Sequence, residues 1–155
     1  MIVRSAHFED TERLLEMGKK MHDEGAYAFL PFDSEKVREL MIRIMSEPAN
    51  WCGLVAESDG TLAGMLGGYL TDYFFCREKL ACDLLLYVEP KWRRSSAATR
   101  LIRGFEDWAA ARGARELCLG VSTGVQTDST ERFYCKLGFT RVGGIYKLRL
   151  AEETS

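Results

Sequence analysis

Between Leu84 and Leu101 three pieces of chain follow one another without a spacer: an apolar strand that stops before Pro90, a turn built on Arg93, Arg94, Ser95 and Ser96, and an amphipathic helix. Proline removes a backbone donor and cannot continue a central strand, so the chain must turn there. The first N–H groups of the following helix have no partner inside it, and the aligned peptide dipoles add positive potential at the same place. Arg93 and Arg94 add full charges. Strand, basic small-residue turn and helix N-terminus together form an anion cradle, and the natural occupant is a phosphate or a pyrophosphate. Backbone N–H groups from Arg94 through Ala98 are the expected donors. The bland alternative is that Ser95 or Ser96 merely caps the helix and the arginines are solvated surface.

A chain of 155 residues, 46% hydrophobic and 28% charged, is expected to fold as one domain, 1–155, around a single core. Its net charge of −2 counts against a dedicated nucleic-acid binder, the role in which Arg93, Arg94, Arg100 and Arg103 would serve as a phosphate patch. The five cysteines form no C-x-x-C pair, and His7 and His22 are the only histidines, so no metal site is expected. Cys52, Cys82 and Cys118 sit in strand-like apolar runs and read as buried structural thiols, which fits a reducing, cytoplasmic compartment. No apolar leader segment and no run near the ~18 residues of a membrane span is seen, so no membrane contact is expected.

The hydrophobic pattern predicts the order β-α-α-β-β-β-α-β-α-β-β. Ile2 to Arg4 is the first strand. Asp10 or Thr11 caps a helix carrying Leu14, Leu15, Met17 and Met21, and Ser34 caps a second carrying Val37, Leu40, Met41 and Ile44, stopped by Pro48. Trp51–Ser58 and Thr61–Leu70 read as a hairpin about Asp59-Gly60, with Gly64, Gly67 and Gly68 marking bulges or close backbone approach. Leu80 to Val88 is a near-continuous apolar run suited to a strand buried on both faces. A helix from about Ser96 to Arg112 buries Ala98, Leu101, Ile102, Phe105, Trp108 and Ala109 and stops at Gly113. Glu116–Val121 is the next strand, Asp128 and Glu131 box the start of a helix that closes at Gly138, and Phe139–Val142 pairs with Ile145–Leu150 across Gly143-Gly144.

Two motifs in this order carry a family resemblance. Arg93-x-x-Ser96-x-Ala98 resembles the Gln/Arg-x-x-Gly-x-Gly/Ala signature of the GNAT superfamily of N-acetyltransferases, and Phe133-Tyr134-Cys135-Lys136-Leu137-Gly138-Phe139 resembles that family's (L/F)-Y-x-K-L-G-F segment. The resemblance is strongest over Trp51 to Val142. It implies an α/β (α+β) fold, a mixed, mostly antiparallel sheet flanked by helices, and transfer of an acetyl group from acetyl-CoA to an amine. It also implies that Arg93, Arg94, Ser95, Ser96, Ala97, Ala98 and Thr99 wrap the pyrophosphate. The backbone of Leu86, Tyr87 and Val88 lies along the pantetheine arm, with the Val88 N–H facing the thioester carbonyl. Phe133 and Thr127 stand beside the cofactor, Thr127 where many relatives have asparagine, and Ser96 replaces the family's central glycine.

By the same resemblance Tyr134 is the general acid that protonates the departing thiolate. For the base, Asp83 stands in an apolar strand, on the same face as Leu85 and Tyr87 by period-two alternation, where its pKa would be raised. Ser122, Glu57 and a water chain are the alternatives. Tyr27, Phe29, Phe32, Asp72, Tyr73, Phe74 and Phe75 are placed around the acceptor, with Asp23, Glu24, Asp33 or Asp72 attracting a cationic amine. The acceptor is a small-molecule or peptide amine of open identity, and a homodimer fits the resemblance. The rival reading is a non-catalytic acyl-CoA-binding or interaction module on the same fold.

Overall fold

The computed structural model describes residues 1–121 and 127–151. The chain divides into two compact units, Met1–Gly120 and Val121–Ser155.

In the first unit the elements run β1 (Ile2–Ser5), a 3-10 turn (Phe8–Asp10), α1 (Thr11–Glu24), α2 (Ser34–Ser46), β2 (Trp51–Ser58), β3 (Thr61–Asp72), β4 (Lys79–Val88), a 3-10 turn (Pro90–Trp92), α3 (Ala97–Ala111) and β5 (Ala114–Cys118). The sheet order is β1-β2-β3-β4-β5. Neighbours are antiparallel through β4, and β5 returns parallel to β4 after the α3 crossover. Asp59 and Gly60 take positive φ (49° and 76°), the requirement of a tight two-residue hairpin. Gly113, at φ 74°, stops α3 as expected. The cap of α2 is Asp33 rather than Ser34: its carboxylate accepts the Lys36 N–H at 3.1 Å, one residue upstream of the expected position.

Each face of the sheet takes its helices at glycines. On one face Ile44 of α2 sits over the cross-strand pair Gly53 and Gly67, and a core of Leu14, Met17, Met41, Val55, Leu62, Met65 and Tyr87 fills in beside it. On the other face Phe105 of α3 lies on Gly68, where an added Cβ would stand 2.6 Å from Phe105 Cε2, nearer still to Cζ, and 3.0 Å from the Cys82 carbonyl oxygen. Gly68→Ala is therefore an overpacking change. We expect it to cost about 2 kcal/mol and to lower Tm by roughly 4–8 °C, measured by thermal denaturation; an unchanged Tm would show that α3 can lift off the sheet freely.

Two strand expectations are corrected. β5 ends at Cys118 rather than Val121, and Cys118 is exposed where a buried thiol was expected. β4 is buried on both faces only in part, because Leu84 is exposed.

In the second unit α4 (Thr127–Lys136) ends at Gly138, whose φ of 99° is left-handed. The hairpin expected from Phe139 to Leu150 is absent: no strand occurs among residues 137–151, and Val142, Tyr146, Leu148 and Leu150 are almost wholly exposed. A half-buried strand needs a neighbour on its hydrogen-bonding edge and a surface beneath its apolar side, and the described residues of this unit offer neither. Among the described residues no helix is long and apolar enough to cross a membrane.

Candidate active site

The site begins where two parallel strands part. β4 and β5 pair from Lys79–Ala114 to Cys82–Cys118, and β4 then runs on to Val88 without a β5 neighbour. On its other edge it stays paired with β3, and the Glu89 N–H continues that ladder to Ala63 O at 2.8 Å. Backbone groups of successive residues point to opposite edges, so those of Val88 and Leu86 face the open side. Arg93 Nε takes one of these groups, the Val88 carbonyl, at 2.9 Å.

At the root of the fork β4 carries a bulge. Asp83 is registered opposite Gly68 and Leu85 opposite Gly67, which leaves Leu84 as an extra residue. The bulge breaks the alternation. Leu85 and Tyr87 face α1 and α2, whereas Asp83 sits opposite Gly68, whose missing Cβ points at Phe105 of α3. The shared face expected for Asp83, Leu85 and Tyr87 is thus corrected. Asp83 Oδ1 accepts the Gly120 N–H at 2.9 Å and ties β4 to the chain beyond β5. Burial pushes its carboxyl up to about 6, against the pull of that backbone bond.

A carboxyl raised in this way favours the neutral form in the fold. Its contribution to stability is full below the unfolded value near 4 and is lost as pH rises through about 6. Asp83→Asn keeps an acceptor for Gly120 but cannot ionise. We expect the variant to melt higher than the parent at pH 8, by about 2–4 °C for each kcal/mol relieved, and at the same temperature at pH 4. Equal melting temperatures at both pH values would mean the carboxylate is not held in a low-dielectric place.

The cradle beyond Pro90 is resolved residue by residue. The Arg93 N–H reaches Pro90 O, the Ser95 N–H reaches Trp92 O, and the Ala97 N–H reaches Ser95 Oγ at 3.1 Å. Between and beyond them, the N–H groups of Arg94, Ser96, Ala98 and Thr99 find no acceptor among the described residues. They cluster at the N-terminus of the α3 helix, where the dipole is positive. Ser96 has φ −78° and ψ 3°, which any residue adopts, so the absence of glycine there strains nothing. Its Oγ accepts Arg100 Nε at 3.1 Å.

The two arginines divide their work. Arg93 donates to Val88 O and to Glu24 of α1, at 2.6 Å, and so positions the turn against the end of β4. Arg94 is exposed and has no partner among the described residues. Next to them Glu89 is buried and held by Arg13 at 2.7 Å and Lys20 at 3.0 Å, which keep its carboxyl below the usual range despite burial. Neither the Glu24–Arg93 pair nor the Glu89 cluster was foreseen. Both join residues about seventy positions apart, and local pattern carries no signal at that range.

The other expectations fall as follows. Glu57 is bonded to Arg4 at 2.7 Å on the β1–β2 side of the sheet, two strands from β4, and is not available as the base. Ser122 lies outside the described residues. The acids expected to draw a cationic amine each have structural work: Asp23 pairs with Lys19, Glu24 with Arg93, Asp72 with Lys79, and Asp33 caps α2. Phe32 packs on His22, Tyr73 bonds Glu116, and Phe29, Phe74 and Phe75 are exposed. In the second unit, Thr127 opens α4 and Phe133 and Phe139 flank the buried Tyr134, each ring centroid 6.0 Å from it, while Tyr134 O accepts the Phe139 N–H at 3.1 Å. The structure brings Leu86 through Thr99 together at one end of β4, and Thr127, Phe133 and Tyr134 together on α4.

Comparison with known proteins bears on this arrangement. A model of the acetyltransferase (GNAT) family matches residues 17–139. No curated protein matches the chain in sequence. Among solved structures, the apo aminoglycoside antibiotic 6'-N-acetyltransferase AAC(6')-IG from Acinetobacter haemolyticus is 21% identical, with 99% of this chain and 100% of that one covered and a TM-score of 0.75. AAC(6')-Iy in complex with the bisubstrate analog CoA-S-monomethyl-acetylneamine is 16% identical over 97% of each chain, TM-score 0.76. Glucosamine-6-phosphate N-acetyltransferase from Arabidopsis thaliana is 15% identical over 97% of this chain and 98% of that one, TM-score 0.76.

Proposed function

Because the chain belongs to the acetyltransferase (GNAT) family, we propose that it is an acetyl-CoA-dependent N-acetyltransferase that passes the acetyl group directly to a primary amine. The observation that carries this reading is the set of four N–H groups, from Arg94, Ser96, Ala98 and Thr99, left without acceptors among the described residues at a helix N-terminus, beside the end of β4 that runs on past β5. A diphosphate supplies acceptor oxygens for them, and Arg94 supplies a counter-charge. A similar structure that holds a CoA bisubstrate analog supports the same assignment.

The substrate contributes an activated thioester. The chain contributes position, a dipole and proton transfer. Val88 directs its N–H to the open edge of β4, where it faces the charge that grows on the thioester carbonyl oxygen; one such donor is worth about 3 kcal/mol. Asp83, with a pKa near 6, is ionised at neutral pH and takes the proton that the attacking amine loses. The new C–N bond forms as the C–S bond breaks, and Tyr134, assigned from its motif, gives its hydroxyl proton to the departing thiolate. A tyrosine near ~10 is a weaker acid than a thiol near ~8.5, so the transfer relies on the setting of the hydroxyl. The acceptor is an amine of a small molecule or peptide; among the similar structures, aminoglycosides and glucosamine-6-phosphate are acceptors in name.

The test is release of free CoA from acetyl-CoA across a panel of aminoglycosides, amino sugars, polyamines and lysine peptides. Because Cys76, Cys118 and Cys135 are exposed free thiols, CoA should be quantified by chromatography rather than by a thiol reagent. Amine-dependent release with at least one class supports the reading. Tight CoA binding with no release on any amine would replace it with the binding-module reading.

A further inference from the structure

The fork in the sheet has a pair of thiols at its root. Cys82 of β4 and Cys118 of β5 are registered neighbours, and theirs is the last rung of the parallel ladder. Registered residues on adjacent strands project their side chains from the same face. Strands lie about 4.8 Å apart, inside the roughly 4.4–6.8 Å between Cα atoms that a disulfide spans. The two thiols interact: burial first and Cys82 second push the Cys118 thiol up to about 11. Neither is bridged. The third cysteine on the sheet, Cys52, lies on β2, with β3 between it and β4, which is two strand spacings or about 10 Å.

The position of the pair favours a bond that forms and breaks. Past Cys82 comes the bulge at Leu84, and beyond it no rung holds β4 to β5. The Cβ atoms of a disulfide stand about 3.8 Å apart, closer than strand spacing, and the end of a ladder yields more easily than its middle. The strain that remains makes such a bond readily reducible. Asp83 follows Cys82 directly and accepts the Gly120 N–H, two residues past Cys118, so the bond would lie beside that contact. We infer that Cys82 and Cys118 are a reversible disulfide site that pins β5 to β4 where the fork opens, formed by exchange with a small-molecule disulfide of the glutathione type. One protein thiolate attacks the glutathione disulfide and releases one glutathione. The second protein thiolate attacks the mixed disulfide and releases the other. Two protein thiols are thereby oxidised to one S–S bond, one glutathione disulfide is reduced to two thiols, and the two protons pass to them. The inference stands apart from the catalytic reading, because it needs neither cofactor nor acceptor.

A redox titration of the folded full chain tests it, in mixtures of reduced and oxidised glutathione at about pH 8.5, where thiolate is more plentiful. Samples are quenched with acid, alkylated and mapped by mass spectrometry without reduction. Trypsin leaves Cys82 in residues 80–91 and Cys118 in residues 116–132, and the other three cysteines fall in other peptides. As the oxidised share of glutathione rises, these two peptides should become joined in most molecules, and dithiothreitol should separate them again. Cys118→Ser should abolish the joined species; if that variant fails to fold, the map of the parent decides alone. Peptides that stay apart at every ratio, each alkylated or each carrying glutathione, while circular dichroism shows the fold retained, overturn the inference. So does Cys82 or Cys118 joined instead to another cysteine, or a joined pair that forms only in denaturant.

Discussion

Ser96→Asp will leave the protein folded and lower its affinity for acetyl-CoA by at least a hundredfold, equivalent to about 2.7 kcal/mol. Ser96 is exposed and occupies the N-cap position of α3, with no side-chain cap of its own. Aspartate is among the best residues for that position, and its carboxylate accepts the N–H groups two and three residues on. Those are the N–H groups of Ala98 and Thr99, two of the four left open. The substitution thus fills the cradle from within and sets a negative charge against the diphosphate, while the helix gains about 0.5–1 kcal/mol. Paired calorimetry and thermal denaturation separate the two effects. The parent conformation at Ser96 suits any residue, so Ser96→Gly should bind as well as the parent or better. A Ser96→Asp variant that binds acetyl-CoA as tightly as the parent would remove α3 from the binding site.

The second large effect is on turnover. Tyr134→Phe should reduce kcat by at least about tenfold, and a general acid is worth as much as ~10²–10⁴, with little change in the Kd of acetyl-CoA. The ring is buried between Phe133 and Phe139, and phenylalanine keeps that packing, so the loss reports the hydroxyl alone. Rates measured at saturating amine beside cofactor Kd from titration make the distinction. A variant as fast as the parent takes Tyr134 out of the chemistry and leaves solvent to protonate the thiolate.

What the sequence disclosed followed the range of each signal. The Asp59-Gly60 turn, the Gly113 stop and the α3 stripe are local, and each is decided within a few residues by backbone freedom or helical period. The cradle was legible for the same reason: Pro90, the serines and the helix start are contiguous. Asp83 was found as a buried carboxylate but placed on the wrong face. A bulge adds one residue to one strand, and period-two counting cannot see Leu84 as the extra residue without the partner strand in view. Arg93 was read as a free charge because its partners, Glu24 and Val88 O, are supplied by tertiary packing. The pattern in 139–150 is strand-like in the sequence, yet a strand exists only where another chain segment pairs with it.

The central claim is that the open N–H groups at the start of α3 receive a diphosphate. Isothermal titration with coenzyme A and, separately, with pantetheine, which has the thiol arm and no diphosphate, tests it most directly. The account predicts saturable one-to-one binding of coenzyme A and at least a hundredfold weaker binding of pantetheine. Equal affinity for the two, or no heat from either with folded protein, would contradict it.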